Sequence, residues 1–141
     1  MAVRTVAVGP KTSGGGSGAA LHGVGFDLDT PLDIGPINQS AAQALTGGSP
    51  QYVLANAEDP ATGQDMILDI EISTDGGATW TSIFPSGNAS KIVLTAGSKA
   101  VFEFTSFAIS SIAKGNKFRP TVIQVGSGNP GGYVSINFVW S

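Results

Sequence analysis

The chain has 141 residues, enough for one domain that buries roughly two-thirds of the surface its unfolded form exposes. Only 12% of the residues are charged, the net charge is −3, and 20 residues are glycine, a composition that favours short strands and turns over helices. The absence of cysteine excludes disulfides, zinc–thiolate sites and thiol catalysis.

The N-terminal segment has the composition of an arm. Residues 1–8 are β-prone, and residues 11–18 (KTSGGGSG) have the composition of a flexible linker. The glycine run lacks the Gly-Lys-Ser/Thr of a phosphate-binding loop. We therefore expect a flexible N-terminal arm and linker over residues 1–18, and a single β-sandwich domain over residues 19–141. No apolar run reaches the length of a signal peptide or a membrane span, so no membrane partner is expected.

Short strands separated by turns fill the rest of the chain. The predicted strands cover residues 21–28, 51–55, 66–73, 79–83, 91–94, 101–107, 119–125 and 133–140. Residues 38–45 (NQSAAQAL) fit either one or two helical turns or an irregular strand, and residues 56–65 are predicted to be a polar loop. About eight or nine short strands at this spacing predict an all-β, antiparallel, jelly-roll-like β-sandwich.

Residues 66–84 (MILDIEISTDGGATWTSIF) are predicted to form a hairpin. Apolar and polar side chains alternate up to Ser73, and Asp75-Gly76-Gly77 supplies the backbone freedom of a tight turn. The segment resembles the Asp-box of sialidases, S-x-D-x-G-x-T-W, with matches at Ser73, Asp75, Gly77, Thr79 and Trp80. In that family the motif is a structural hairpin away from the active site. A sialidase propeller needs several blades of about 40–45 residues, so the resemblance implies a β fold and no activity.

The charges are separated along the chain. Nine of the ten acidic residues lie within 27–75, and five of the seven basic residues lie within 91–119. Acidic and basic strands are either neighbours that neutralise each other within one domain, or two opposite sides suited to contacts between identical subunits. The candidate subunit contacts are Asp69, Glu71, Lys114, Lys117, Arg119 and Trp140. Trp140 is interpreted either as the last plug of the core or as part of such a contact.

No pattern indicates a reaction centre. Asp27, Asp29 and Asp33 could hold Ca²⁺, but their spacing is not that of an EF-hand. The single histidine, His22, has no nucleophile motif around it, and Asp69 with Glu71 fits the polar face of a strand. The basic cluster is too small to predict a nucleic-acid partner. We expect no catalytic residue, no cofactor and no metal, and a protein that is not an enzyme.

The chain as a whole resembles the small virion proteins of tailed bacteriophages, especially capsid decoration (cement) proteins. The resemblance is carried by the Gly/Ser arm, the turn at residues 94–98 (LTAGS) and the glycine-rich loop at residues 126–132 before the last strand. It implies a homo-oligomer, with a trimer favoured, that binds the major capsid protein on the capsid surface after assembly in the host cytoplasm.

The alternative function is a carbohydrate-binding β-sandwich of a phage tail or cell-surface protein. Such a module needs an exposed aromatic platform, for which Tyr52, Trp80 and Tyr133 are the candidates. Trp80 is expected to be buried, which leaves the two tyrosines.

Overall fold

The computed structural model describes residues 3–11, 21–37 and 42–141, and these residues form eleven strands. The strands are β1 (Val3–Lys11), β2 (Leu21–Pro31), β3 (Gly35–Pro36), β4 (Ala42–Gln43), β5 (Pro50–Asp59), β6 (Met66–Ser73), β7 (Thr81–Ser82), β8 (Ile92–Leu94), β9 (Phe102–Phe104), β10 (Lys117–Gln124) and β11 (Gly132–Trp140). One turn of 3-10 helix, Asn88–Ser90, precedes β8. The prediction of an all-β fold is confirmed.

The strands form two antiparallel sheets. Sheet 1 has the order β1-β2-β11-β5-β9. Sheet 2 has the order β3-β10-β6-β7, with β4 also paired to β10 and β8 also paired to β6. Strands β3 and β4 therefore form one interrupted strand along β10, and β7 with β8 forms another along β6. The eleven short elements thus occupy nine strand positions.

The chain crosses between the sheets in the manner of a jelly roll. Strand β2 lies in sheet 1, β3 with β4 in sheet 2, β5 in sheet 1, β6 to β8 in sheet 2, and β9, β10 and β11 alternate between sheets 1, 2 and 1. Counting each interrupted strand once, β2 to β11 supply the eight strands of that fold. Strand β1 adds a ninth at the edge of sheet 1.

Aromatic side chains from both sheets meet in the core. The ring of Phe138 on β11 lies 5.4 Å from the rings of both Phe118 on β10 and Trp140, and 5.8 Å from that of Phe107. Trp140 is 1% exposed, and its indole Nε1 donates a hydrogen bond to the carbonyl oxygen of Thr46 at 3.1 Å. Trp140 is therefore a plug of the core. Its interpretation as a surface contact is corrected, because this side chain is buried.

Several strand boundaries differ from the prediction. Strand β5 continues to Asp59 through residues predicted to be a loop, because Ala55 and Ala57 point inwards with 1% exposure each. Strand β9 has three residues where seven were predicted, and the second strand of the hairpin has two where five were predicted. Residues 38–41 of the ambiguous segment 38–45 lie outside the described residues, and Ala42–Gln43 is a strand.

Part of the predicted arm pairs with the sandwich. Strand β1 runs antiparallel to β2 from Val3 opposite Leu28 to Lys11 opposite Leu21. Residues 12–18 of the linker lie outside the described residues. The division of the chain at residue 18 stays a prediction.

Deleting residues 1–18 is expected to leave a folded β-sandwich, because β1 has a single neighbour, β2, at the end of sheet 1. The truncated chain should keep a β-type circular dichroism spectrum and a cooperative thermal transition, while its self-association weakens. Loss of cooperative unfolding would show instead that β1 is an indispensable part of the fold.

Candidate functional site

The loop between β6 and β7 is closed by a compact hydrogen-bond network. The Asp75 carboxylate accepts from the Thr79 amide at 2.9 Å, from the Thr79 hydroxyl at 2.6 Å and from the Ser73 hydroxyl at 2.8 Å. The Ser73 oxygen in turn accepts from the Gly77 amide at 2.8 Å. Gly76 and Gly77 have φ angles of 77° and 101°, a region open to glycine at little cost. The network is formed by residues of the loop together with Ser73, the last residue of β6.

The same hydrogen bonds change the acidity of Asp75. The hydroxyl and amide of Thr79, followed by the Ser73 hydroxyl, stabilise the charged carboxylate and lower its pKa from 3.8 to about 2. A folded-state pKa below the unfolded value means that the carboxylate stabilises the fold above pH 3.8. This stabilisation is lost as the pH falls through about 2.

The substitution Asp75→Asn is expected to lower the midpoint of thermal unfolding at pH 7. The asparagine amide is neutral and has a single acceptor oxygen, so it cannot replace the charged carboxylate as the acceptor of all three hydrogen bonds. The difference from the unsubstituted chain should shrink between pH 4 and pH 2, where the carboxylate itself becomes protonated. Asp33→Asn, which removes an exposed carboxylate from another loop, is the control. A difference that stays constant down to pH 2 would contradict this account.

Trp80 does not enter the core, so the expectation of burial is wrong. The residue is half-buried, its indole Nε1 donates to the Gly77 carbonyl at 3.1 Å, and the Arg119 guanidinium lies 4.4 Å from its ring centroid. These contacts hold the ring over the outer face of sheet 2, where a cation–π interaction is favourable.

Acidic and basic side chains are neighbours on this outer face. Arg119 on β10 lies opposite Glu71 on β6, with Nε 2.9 Å from Oε1, and the Thr121 hydroxyl also donates to that oxygen at 2.6 Å. Lys91 Nζ lies 3.1 Å from Asp69 Oδ2. These pairs support the first of the two charge interpretations, in which neighbouring strands neutralise each other within the domain.

The predicted subunit contacts therefore have different surroundings. Asp69 is 4% exposed and also accepts from the Ser82 hydroxyl at 2.7 Å. Lys117 is half-buried and donates to the Gly76 carbonyl at 3.3 Å. Lys114, in the turn before β10, is exposed. The subunit-contact role of these residues stays a prediction, and Lys114 is the one whose side chain lies most openly at the surface.

Replacing Lys91 with methionine is expected to destabilise the fold by about 3–5 kcal/mol, because it leaves the Asp69 carboxylate buried without a cation. The side chains of this pair are 12% and 6% exposed. Urea denaturation measures the effect. Lys114→Met is the control and should change the free energy of unfolding by less than about 0.5 kcal/mol. An equal change in the free energy of unfolding for both substitutions would mean that the Lys91–Asp69 pair does not stabilise the fold.

A second feature lies on the outer face of sheet 1, around Tyr133. This residue has a φ angle of 50° and is 53% exposed, an uncommon conformation for an aromatic residue. Opposite it, β2 contains one residue more than β11, since Gly132 faces Pro31 and Val134 faces Leu28. The irregular pairing marks the position where the ring leaves the sheet.

A cavity of about 190 Å³ opens beside this ring. Its polar side chains come from three neighbouring strands: Asp27 and Asp29 from β2, Ser135 from β11 and Glu58 from β5. The calcium site considered for the acidic segment has no support here, because the described residues contain no group of three acidic or histidine side chains that could hold a metal ion.

Sequence reasoning identified Tyr133 and missed Glu58 and Ser135. Glu58 was placed in a loop, although Val53, Ala55 and Ala57 alternate with it and indicate a strand that continues. Tyr52, the other predicted platform residue, is half-buried on the same sheet, near Val139 at the far end of β11. Six residues separate Tyr133 from Val139, or about 20 Å along a strand, so the two tyrosines do not line one cavity.

Large apolar side chains are exposed at the edge of sheet 2. Ile34 comes immediately before β3 and Leu45 follows shortly after β4, and they are 69% and 70% exposed. Strands β3 and β4, which both pair with β10, together with Ile34 and Leu45 are called the β3–β4 edge. Val101, which is 62% exposed, lies elsewhere, next to the edge strand β9 of sheet 1.

Comparison with protein-family models and with curated protein sequences finds no match for this chain. Among the described residues, no helix has the length and apolar character needed to cross a membrane. The assignment of function therefore depends on the chemistry of the surfaces described above.

Proposed function

We propose that this chain is a non-enzymatic structural protein of a virion, a capsid decoration protein that binds the assembled shell and stabilises it. The observation that carries the proposal is the β3–β4 edge, where Ile34 and Leu45 expose large apolar side chains on a compact domain. Exposed apolar groups beside a sheet edge favour contact with another protein. The resemblance to phage decoration proteins gives that partner its identity as the major capsid protein.

The arrangement of charge agrees with docking through this edge. Glu71 with Arg119 and Asp69 with Lys91 are paired within the domain, so they have little unpaired charge to offer a partner. Leu45 lies beside the turn before β10, because the Gly115 amide donates to the carbonyl of the preceding residue, Ala44. The exposed Lys114 lies in this turn, and the combined surface fits a partner with apolar and acidic groups.

The edge also has the extent that a protein contact requires. Strand β3 pairs with β10 at Val122 and β4 pairs with it at Lys117. Ile34 lies one residue before the partner of Val122, and Leu45 lies two residues after the partner of Lys117. At 3.3 Å per residue along β10, this spacing separates Ile34 from Leu45 by about 25 Å. A partner lying along the edge would cover both side chains.

Stabilisation of the shell would follow from mass action. A protein that binds assembled subunits and not dissociated ones favours assembly by RT ln(1 + [L]/Kd), about 2.7 kcal/mol per site at a concentration of 100 Kd. Self-association into a trimer would place three β3–β4 edges in one oligomer. Binding of the first edge would then raise the effective concentration of the other two at the shell. The chain would then reside on the capsid surface after assembly in the host cytoplasm.

Electron cryomicroscopy of virions that contain this chain is expected to show it on the outside of the shell, bridging capsid subunits. Light scattering after size-exclusion chromatography should show an oligomer in solution. Location in the tail, or a strict monomer at high concentration that has no affinity for shells, would contradict the proposal.

The double variant Ile34→Ser with Leu45→Ser is expected to bind decoration-free shells at least about tenfold more weakly, measured by co-sedimentation. The two serines remove apolar surface from the β3–β4 edge without touching the core. Val101→Ser changes an equally exposed residue at a different edge and should bind within twofold of the unsubstituted chain. Equal binding by all three proteins would place the contact elsewhere.

One observation favours the second candidate, a carbohydrate-binding module. Tyr133 presents an exposed ring beside a cavity with hydrogen-bonding groups, and jelly-roll folds occur in lectins as well as in capsids.

A further inference from the structure

We propose that the cavity beside Tyr133 is a saccharide subsite that takes one pyranose residue of a neutral or amino sugar. The proposal depends on the chemistry of the cavity and holds whether or not the chain decorates a capsid. The cavity lies on sheet 1, and the β3–β4 edge belongs to sheet 2. The two surfaces can therefore be tested separately.

The Tyr133 ring provides a stacking platform. It is 53% exposed at the rim of the cavity, and the positive φ angle of the residue places it where the pairing of β2 and β11 is irregular. Non-glycine residues adopt such a backbone conformation only where their surroundings impose it, and such positions concentrate at binding sites. The apolar CH face of a pyranose matches the face of an aromatic ring.

The polar groups around the ring match the hydroxyl groups of a sugar. Asp29 and Glu58 are exposed carboxylates on either side of β11, and the Ser135 hydroxyl donates to Asp27 Oδ1 at 3.3 Å. Carboxylates accept strong hydrogen bonds from hydroxyl donors. Binding sites of this kind combine a mostly apolar lining with a few polar groups that orient the ligand, and the surface lining this cavity is mostly apolar.

The volume and the charge of the cavity limit the ligand. About 190 Å³ has room for a single sugar ring and is smaller than a typical site for drug-sized molecules. Three acidic residues contribute to its lining, so a uronic or sialic acid would be bound near like charge. Neutral hexoses, N-acetylhexosamines and hexosamines avoid this repulsion.

A lysine or arginine side chain of another protein is the competing occupant, since carboxylates and an aromatic ring also attract cations. The described acidic residues form no group that could hold a metal ion. We infer that the carboxylates are spread around the rim. A compact ammonium needs several oxygens close to one point, whereas the hydroxyl groups of a pyranose are distributed around its ring. The geometry therefore favours the sugar over the ammonium of a lysine.

The full chain would first be screened on a glycan array that presents glucosides and galactosides with the matching uronides, N-acetylhexosamines, hexosamines and sialosides. The best methyl glycoside would then be titrated by NMR chemical-shift perturbation. We expect binding of neutral or amino sugars, and at least tenfold weaker binding of the matching uronide. Absence of binding by every neutral and amino sugar would overturn the proposal, as would equal binding of the uronides.

Variants assign the binding to the cavity. Tyr133→Asn removes the ring and places at this position a residue that tolerates positive φ, so the protein should stay folded and bind at least tenfold more weakly. Tyr133→Trp should bind within threefold of the unsubstituted chain, because it keeps a stacking surface. Tyr52→Asn, about 20 Å along the same sheet, should bind within twofold. Unchanged binding by a folded Tyr133→Asn protein would refute the site.

A second pair of measurements tests the basis of selectivity. Asp29→Asn combined with Glu58→Gln should reduce the preference for the neutral sugar over its uronide at least threefold, because the repelling charges are gone. A lysine- and arginine-rich peptide should not compete with the sugar. Direct binding of that peptide at the cavity, without binding of any saccharide, would identify the cavity as a docking site for basic side chains and overturn the proposal.

Discussion

The fold depends on the insertion of its last strand. Strand β11 occupies the centre of sheet 1 and pairs along its length with β2 on one side and β5 on the other. Its inward side chains, Phe138 and Trp140, contact Phe118 of the opposite sheet. The domain cannot close until residues at the end of the chain pair with residues near its beginning, and such non-local pairing makes folding slow and cooperative.

The same strand connects the core with the surface. Trp140 at its end fills the interior, while Tyr133 near its start projects into solvent at the point where the pairing with β2 is irregular. Between them, the alternation of side chains places Ser135 on the outer face, next to the carboxylates of β2 and β5. A single strand thus contributes both to the packing of the domain and to the cavity beside Tyr133.

Sheet 2 uses its polar residues differently. Its outer face carries the ion pairs of Asp69 with Lys91 and Glu71 with Arg119, and the Arg119 guanidinium also covers the ring of Trp80. Two charge pairs that are far apart in the sequence are therefore neighbours in the fold, Glu71 with Arg119 because β6 and β10 lie side by side, and Asp69 with Lys91 just before β8. This leaves apolar groups at the β3–β4 edge, and an acidic cavity on the other sheet, as the more distinctive surfaces for recognition.

The sequence by itself determined the local features of this protein. Alternation of apolar and polar residues predicted β6 and β11, and the residues from Ser73 to Trp80 contain their own hydrogen-bond partners, so the turn could be predicted without its neighbours. Only the tertiary structure decided the long-range features. Period-two alternation assigns a side chain to a face but does not select the strand that lies beside it. The order of strands in the two sheets places Glu58, Asp29 and Tyr133 around one cavity and pairs Glu71 with Arg119. It also decides the surface position of Trp80 and the burial of Trp140. That order buries the apolar faces of the two sheets in one core, an arrangement that no short stretch of sequence can specify.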